Sequence, residues 1–129
     1  MRKFFQALVA TFIWGNLAFA ASQSGIQPYT QAQFDALQQQ GKPILVWIHA
    51  DWCPTCRAQG KVLDELLPTP ALQGLTVLKV DFDDQKPVVR AFRAVRQSTF
   101  ILFKGGKEIG RSLGDTRRDS ILAFLKQAT

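Results

Sequence analysis

The chain has 129 residues, enough for one domain, and contains two cysteines and one histidine. Its formal net charge is +6 at pH 7, from 16 Lys and Arg against 10 Asp and Glu. The arginines cluster only loosely, at residues 90–96 and 117–118, without a dense basic run and interleaved aromatic residues. This distribution argues against nucleic-acid binding.

The first 20 residues have the pattern of a secretory signal peptide. Arg2 and Lys3 precede an apolar stretch that ends in Ala-Phe-Ala, a small-x-small cleavage pattern. The alternative is a membrane anchor, but polar residues and a glycine interrupt the run, and a span needs about 20 mostly apolar residues. We therefore predict cleavage after Ala20 and a periplasmic location, where cysteines meet an oxidising environment.

The rest of the chain predicts one α/β domain with the element order α-β-α-β-α-β-β-α. We expect residues 21–29 to be a flexible N-terminal lead-in and residues 30–129 to form the domain. Thr30 is a suitable N-cap for the first helix. The apolar run at residues 44–50 indicates a strand buried on both faces, and residues 57–67 carry apolar side chains at helical spacing.

The second half of the domain begins with another buried strand at residues 75–82, followed by a short helix. A third strand at 99–103 and a returning strand at 108–113 flank a Lys-Gly-Gly-Lys hairpin turn. Thr116 is predicted to begin the last helix. Helices between the strands imply parallel pairing, and the hairpin adds an antiparallel edge. The expected fold is therefore a central mixed sheet flanked by helices.

The two cysteines stand three residues apart, at the junction between the first strand and the following helix. Such a pair could be a redox centre, half of a metal site or a structural disulfide. A bridge across so short a step closes a very small loop and would stabilise the fold little. A structural zinc site needs four ligands, whereas Cys53, Cys56 and His49 supply three. We therefore favour a redox pair and expect no metal site.

The position of the pair favours a two-step exchange. At the start of a helix, unpaired backbone N–H groups and the positive end of the dipole stabilise a Cys53 thiolate and lower its pKa. Pro54 suits the first helical position, where no N–H is needed. Cys56 returns to the same face of the helix and can attack a mixed disulfide formed at Cys53.

These segments together resemble the thioredoxin family over nearly all of residues 30–127. The family's strand, Trp-Cys-x-x-Cys motif and helix are matched by ILVWIHADWCPTCRAQGKVLDEL, its next strand by LTVLKVDFDD, and its closing hairpin by STFILFKGGKEIGRSLGD. The resemblance implies a thioredoxin-like fold in which Cys53 is the exposed nucleophile and Cys56 the resolving thiol. It also implies that Trp52 shields the site and binds partners, core packing being the alternative, and that Gly114 contacts the bound polypeptide.

The chain departs from the family at the position of a buried acid that helps to deprotonate the resolving thiol. Trp47 stands there, six residues before the first cysteine, which leaves Lys79 without the partner that the family gives it. His49 is the candidate replacement, because a neutral imidazole can accept a thiol proton. The alternative is a hydrogen-bonded histidine in the core. Asp51 is a second candidate, with a solvated charge as the alternative.

A second departure lies in the loop that normally binds the substrate backbone. Ser98, next to Thr99, occupies the position of the family's cis-proline. A cis bond before serine costs about 2.5–4 kcal/mol, so a trans bond is the alternative. Both residues are candidates for substrate binding.

The sequence thus predicts a periplasmic protein-disulfide oxidoreductase that acts as a monomer and needs no cofactor besides the redox-active Cys53–Cys56 disulfide. We favour a reductase that takes electrons from a membrane donor and reduces disulfides of exported proteins. The alternatives are an oxidase with the same cysteines and a metal-binding or chaperone module. Strong oxidants gain from a positively charged neighbour within the motif, whereas Thr55 supplies only a hydroxyl.

Overall fold

A computed structural model describes residues 25–129. The signal peptide predicted for residues 1–20 lies outside these residues. The described chain forms one five-stranded mixed sheet with helices on both faces. In chain order, its elements are β1 (Ile26–Pro28), α1 (Gln31–Gln39), β2 (Ile44–His49), α2 (Pro54–Leu66), a 3-10 turn (Pro70–Leu72), β3 (Thr76–Asp81), α3 (Lys86–Ala91), β4 (Thr99–Lys104), β5 (Lys107–Leu113) and α4 (Arg118–Lys126).

The strands lie in the order β1-β3-β2-β4-β5. All six residues of β2 are buried, as the continuous apolar run predicted. β2 pairs in parallel with β3, but it pairs antiparallel with β4, which corrects the expectation of parallel pairing there. The reason is that α3 has six residues and is about 9 Å long, too short to carry the chain back along a strand of about 20 Å. β4 therefore starts at the end of the sheet where β3 finishes.

Residues 26–28 form strand β1, which corrects the prediction of a flexible lead-in and adds an element to the predicted order. β1 pairs in parallel with the outer edge of β3, and the Val77 amide donates to the Gly25 carbonyl at 3.3 Å. Tyr29, which follows, is buried. An edge strand can accommodate Pro28, because a proline lacks the N–H that a central strand would use.

The helix ends partly follow the sequence expectations. The Thr30 hydroxyl accepts a hydrogen bond from the Gln33 amide at 3.2 Å and caps α1, as predicted. The last helix begins at Arg118, after the predicted start at Thr116. The reason is that the Asp115 carboxylate accepts a hydrogen bond from the Arg117 amide at 3.0 Å and holds residues 115–117 in a turn before the helix. Within residues 25–129, no helix combines the length and apolar content that a membrane crossing requires.

The sheet separates two hydrophobic clusters. One lies under α2 and α4, contains both cysteines and includes Trp47 and Phe100. The other lies under α1 and α3 and is rich in aromatic rings, with Phe34 and Phe103 at a centroid distance of 5.2 Å. The cysteines therefore lie on the face of the sheet that α2 and α4 cover, at the carboxyl end of β2, its most deeply buried strand.

Candidate active site

The cysteines lie where β2 ends and α2 begins. Cys53 is the N-cap of α2, and its sulfur accepts a hydrogen bond from the Cys56 amide at 3.2 Å. Pro54 occupies the first turn and costs the helix no hydrogen bond. Thr55 lies half-buried between the cysteines. The expected placement of Cys53 at the helix N-terminus, where the dipole favours a thiolate, is therefore what the structure has.

Both cysteines are free thiols and both are buried. Cys53 is 3% exposed, whereas the resemblance implied an exposed nucleophile. The difference arises because its sulfur turns inward, toward the Cys56 amide and the hydroxyl of Ser98. Cys56 is fully buried, so Cys53 remains the more accessible of the two sulfurs.

Ser98 brings its hydroxyl to both sulfurs. Its Oγ lies 3.2 Å from the sulfur of Cys53 and 3.1 Å from that of Cys56. The peptide bonds of residues 25–129 are all trans, and Ser98 adopts a left-handed φ of 63°. Its N–H donates to the Ile48 carbonyl at 2.8 Å, a bond that a proline could not make. Thr99 begins β4 and is buried.

The environment separates the pKa values of the two thiols. Burial raises the pKa of Cys53, but hydrogen bonds from Cys56, from the Ser98 hydroxyl and from Gln97 outweigh this effect and lower the pKa to about 7. Burial, followed by the neighbouring Cys53 sulfur, raises the pKa of Cys56 against the opposing effects of the Ser98 hydroxyl and the Ala50 backbone. At neutral pH, Cys53 is therefore the thiol that supplies a thiolate, and Cys56 holds its proton.

A neutral hydrogen-bonded chain occupies the place of the family's buried acid. The Trp47 indole N–H donates to the Gln59 side-chain oxygen at 3.0 Å. The Gln59 amide group donates to the carbonyls of Ser98 at 3.1 Å and Asp115 at 3.0 Å. Gln59 is fully buried and was not predicted from the sequence, although it interrupts the apolar stripe of α2 and could have been recognised there.

His49 lies beside Trp47, with their ring centroids 4.5 Å apart. Burial, followed by the charge of Lys79, lowers the pKa of His49 against the opposing effects of Asp51 and Asp81. Within residues 25–129, the hydrogen bonds found at the two sulfurs do not involve the imidazole. Its Nδ1 instead lies 3.6 Å from the carboxylate of Asp51, which is 91% exposed. Lys79 is half-buried on β3, directly opposite Trp47.

Trp52 lies on the surface beside the cysteines. It is 58% exposed, which contradicts the core-packing alternative, and its indole N–H donates to the Asp83 carboxylate at 2.7 Å. Val95, in the loop before β4, is even more exposed. Gly114 has a left-handed φ of 73°, and its amide donates to the Ser98 carbonyl at 2.9 Å. Asp83 and Val95 were not predicted, because isolated exposed residues carry no periodic signal.

The metal-binding alternative receives no support from side-chain placement. Across the part of the chain that the structure describes, no cluster of three or more His, Cys, Asp or Glu side chains is arranged to hold a metal ion. The His49 imidazole, which the sequence offered as a third ligand, faces Trp47 and Asp51.

The chain is similar to known proteins both in sequence and in fold. A family model described as thioredoxin matches residues 25–127. The thioredoxin of Alicyclobacillus acidocaldarius is 33% identical over 96 residues, which cover 74% of this chain and 90% of that protein. A bifunctional thioredoxin reductase/thioredoxin of Mycobacterium leprae is 33% identical over 114 residues, which cover 87% of this chain and 25% of that protein. The crystal structure of Trxlp from Edwardsiella tarda superposes with a TM-score of 0.76 and 42% identity, covering 78% of this chain and 98% of that one.

Proposed function

Because the chain belongs to the thioredoxin family of thiol-disulfide oxidoreductases, we propose that it reduces disulfide bonds of exported proteins in the periplasm. Its fold is thioredoxin-like, an α/β domain with a mixed five-stranded sheet. The observation that carries the proposal is the pairing of a Cys53 thiol of lowered pKa with a buried Cys56 thiol of raised pKa at a helix N-terminus.

The geometry supports a two-step reaction. The Cys53 thiolate attacks one sulfur of the substrate disulfide, and the other substrate sulfur leaves with the electron pair of the broken bond. Cys56 then attacks the Cys53 sulfur in the mixed disulfide, forms the Cys53–Cys56 bond and releases the second substrate sulfur. The cysteine pair loses two electrons and the substrate disulfide gains them, so no further redox group is needed for the exchange.

The pKa of Cys53 favours the reducing direction. A strongly oxidising member of this fold stabilises its thiolate so far that the thiol pKa is about 3.5, whereas a reducing thioredoxin has a value of about 7. The corresponding reduction potentials are about −120 mV and about −270 mV. Here the pKa of Cys53 is lowered to about 7, without a charged side chain within the motif. We therefore expect a potential near the reducing end of this range.

The proposed location rests on the signal-peptide pattern that ends at Ala20. Each turnover leaves a Cys53–Cys56 disulfide, which needs two electrons before the next cycle. Outside the cytoplasm, we propose a membrane-bound thiol-disulfide relay as the donor. We further propose that the protein acts as a monomer, with Trp52 and the loop at Ser98 and Gly114 forming the surface that meets the substrate.

Reduction of insulin disulfides by the protein without residues 1–20, with dithiothreitol supplying the electrons for each cycle, tests the function. We expect turnover by the unaltered chain and none by Cys53→Ser. Cys56→Ser should instead accumulate mixed disulfides, since it lacks the resolving thiol. Full turnover by either variant would contradict the two-step mechanism. Equilibration with glutathione measures the potential, and a value near −120 mV would favour the oxidase.

A further inference from the structure

The Ser98 hydroxyl is placed between the two reacting sulfurs. It contacts Cys53 at 3.2 Å and Cys56 at 3.1 Å, in a site where Ser98 is 5% exposed. A hydroxyl has one proton to donate and lone pairs with which to accept. It can therefore donate to one sulfur while accepting from the other, but it cannot donate to both.

The chemistry of the sulfurs gives this hydrogen-bond chain a direction. Cys56 is fully buried inside the hydrophobic cluster, where a charged form is costly, so it remains a thiol and donates. Cys53 caps the helix and accepts from the Cys56 amide, so its sulfur is suited to negative charge. The chain therefore runs from the Cys56 S–H to the Ser98 oxygen, and from the Ser98 O–H to the Cys53 thiolate.

We propose that Ser98 is a catalytic residue that relays the Cys56 proton to the leaving substrate sulfur during resolution of the mixed disulfide. The proposal deepens the proposed function and rests on it. As Cys56 attacks, its proton moves to the Ser98 oxygen, and Ser98 gives its own proton to the substrate sulfur bonded to Cys53. The Cys53–Cys56 bond forms, the bond from Cys53 to the substrate breaks, and the substrate leaves as a neutral thiol.

The backbone holds Ser98 in place for this role. Its N–H donates to the Ile48 carbonyl, and its own carbonyl accepts from Gly114 and Gln59. These bonds fix a left-handed conformation that a residue with a side chain rarely adopts. The hydrogen bond from Trp47 to Gln59 extends the same support into the core. Trp47, which stands at the family's acid position, is uncharged and thus acts on the site through Gln59 and Ser98.

The test follows the two steps separately with oxidised glutathione, an alkyl disulfide that releases one glutathione thiol at each step, counted by rapid acid quench and mass spectrometry. The first release reports attack by Cys53, and the second reports displacement by Cys56. In Ser98→Ala, we expect the second release to slow about tenfold, as for a lost hydrogen bond to a charged group. We also expect the midpoint of the first step to rise by about one pH unit. Ser112→Ala, a serine on β5 without contact to sulfur, should leave both steps unchanged.

Ser98→Gly provides a second reading. It also lacks the hydroxyl, but it relieves the left-handed backbone and should fold even where Ser98→Ala does not. A normal second release in whichever of these variants folds would overturn the relay, as would a change confined to stability. Because the reagent is a small molecule, failure of the unaltered chain to reduce insulin would contradict the proposed function and still leave Ser98 tested.

Discussion

Uncharged hydrogen-bond donors surround the sulfur of Cys53. The Cys56 amide and the Ser98 hydroxyl each lie 3.2 Å from it. His49 and Asp51, which precede Cys53 in the chain, contact each other at 3.6 Å. Short hydrogen bonds inside a buried site are screened by salt much less than pairs of exposed charges. The pKa of Cys53 should therefore depend on these donors and only weakly on ionic strength.

This arrangement predicts the pH dependence of Cys53 alkylation by iodoacetamide. Only the thiolate reacts, so the rate should rise about tenfold per pH unit below the pKa of Cys53, about 7, and level off above it. His49→Gln should leave this midpoint unchanged, because the hydrogen bonds found at the sulfur come from other groups. Site-resolved mass spectrometry measures the rate, with Cys53→Ser as the unreactive control. A midpoint near 8.5 in His49→Gln would show that the imidazole stabilises the thiolate.

At the scale of the element, the sequence predicted the strands and helices whose apolar pattern is long. β2 is six consecutive buried residues, and α2 buries side chains at helical spacing. β1 has three residues, one of them a proline, so it has no periodicity to recognise and forms because the edge of β3 is available. The antiparallel entry of β4 was missed although a short helix was predicted before it, because a pattern of apolar residues does not show at which end of the sheet the chain re-enters.

In the candidate site, too, the local features could be predicted from the sequence and the long-range contacts could not. The cysteines and their helix position could be predicted, because the motif and the strand-helix junction are local. The contact of Ser98 with the sulfurs joins residues 45 and 42 positions apart. The family's pattern placed Ser98 near the site, but the φ of 63° that turns its hydroxyl toward the sulfurs depends on bonds to β2 and to Gly114. That contact forms only when α2 packs against the loop before β4, so the local sequence does not predict it.

The packing of α2 on the sheet gives a prediction at Gly60. A Cβ at this position would lie 3.2 Å from the Trp47 indole, which is itself buried and held by Gln59. Alanine gains about 1 kcal/mol of helix propensity, but crowding a packed core costs about 1–3 kcal/mol. We expect Gly60→Ala to lower the free energy of unfolding by about 1 kcal/mol, measured by urea denaturation.

Trp47→Phe supplies the matched background for this measurement. The smaller ring leaves room for the added methyl group, so Gly60→Ala should become stabilising by up to about 1 kcal/mol in the Trp47→Phe protein. The reversal of sign is the expected result. A loss of stability of the same size in both backgrounds would show that Gly60 is required for a reason other than the indole.

At the scale of the whole molecule, the first described element is β1, at Ile26–Pro28. β1 covers the outer edge of β3, and Tyr29 packs its ring against Phe34 and Phe92 in the aromatic cluster. The family model also starts at residue 25. Cleavage after Ala20 would therefore leave every described element intact, whereas cleavage beyond residue 28 would remove β1 and expose the β3 edge.

Because the predicted cut after Ala20 lies before β1, we expect export to give a folded protein with a defined N-terminus. When the full chain is expressed in a Gram-negative host, the periplasmic fraction should contain protein that begins at Ala21, as read by N-terminal sequencing and intact mass. Ala20→Phe should block cleavage, because the position before the cut requires a small residue. Gln23→Ala, beyond the cut, serves as the control. Uncleaved protein in the membrane fraction would instead support the anchor, and uncleaved protein in the cytoplasm would contradict export.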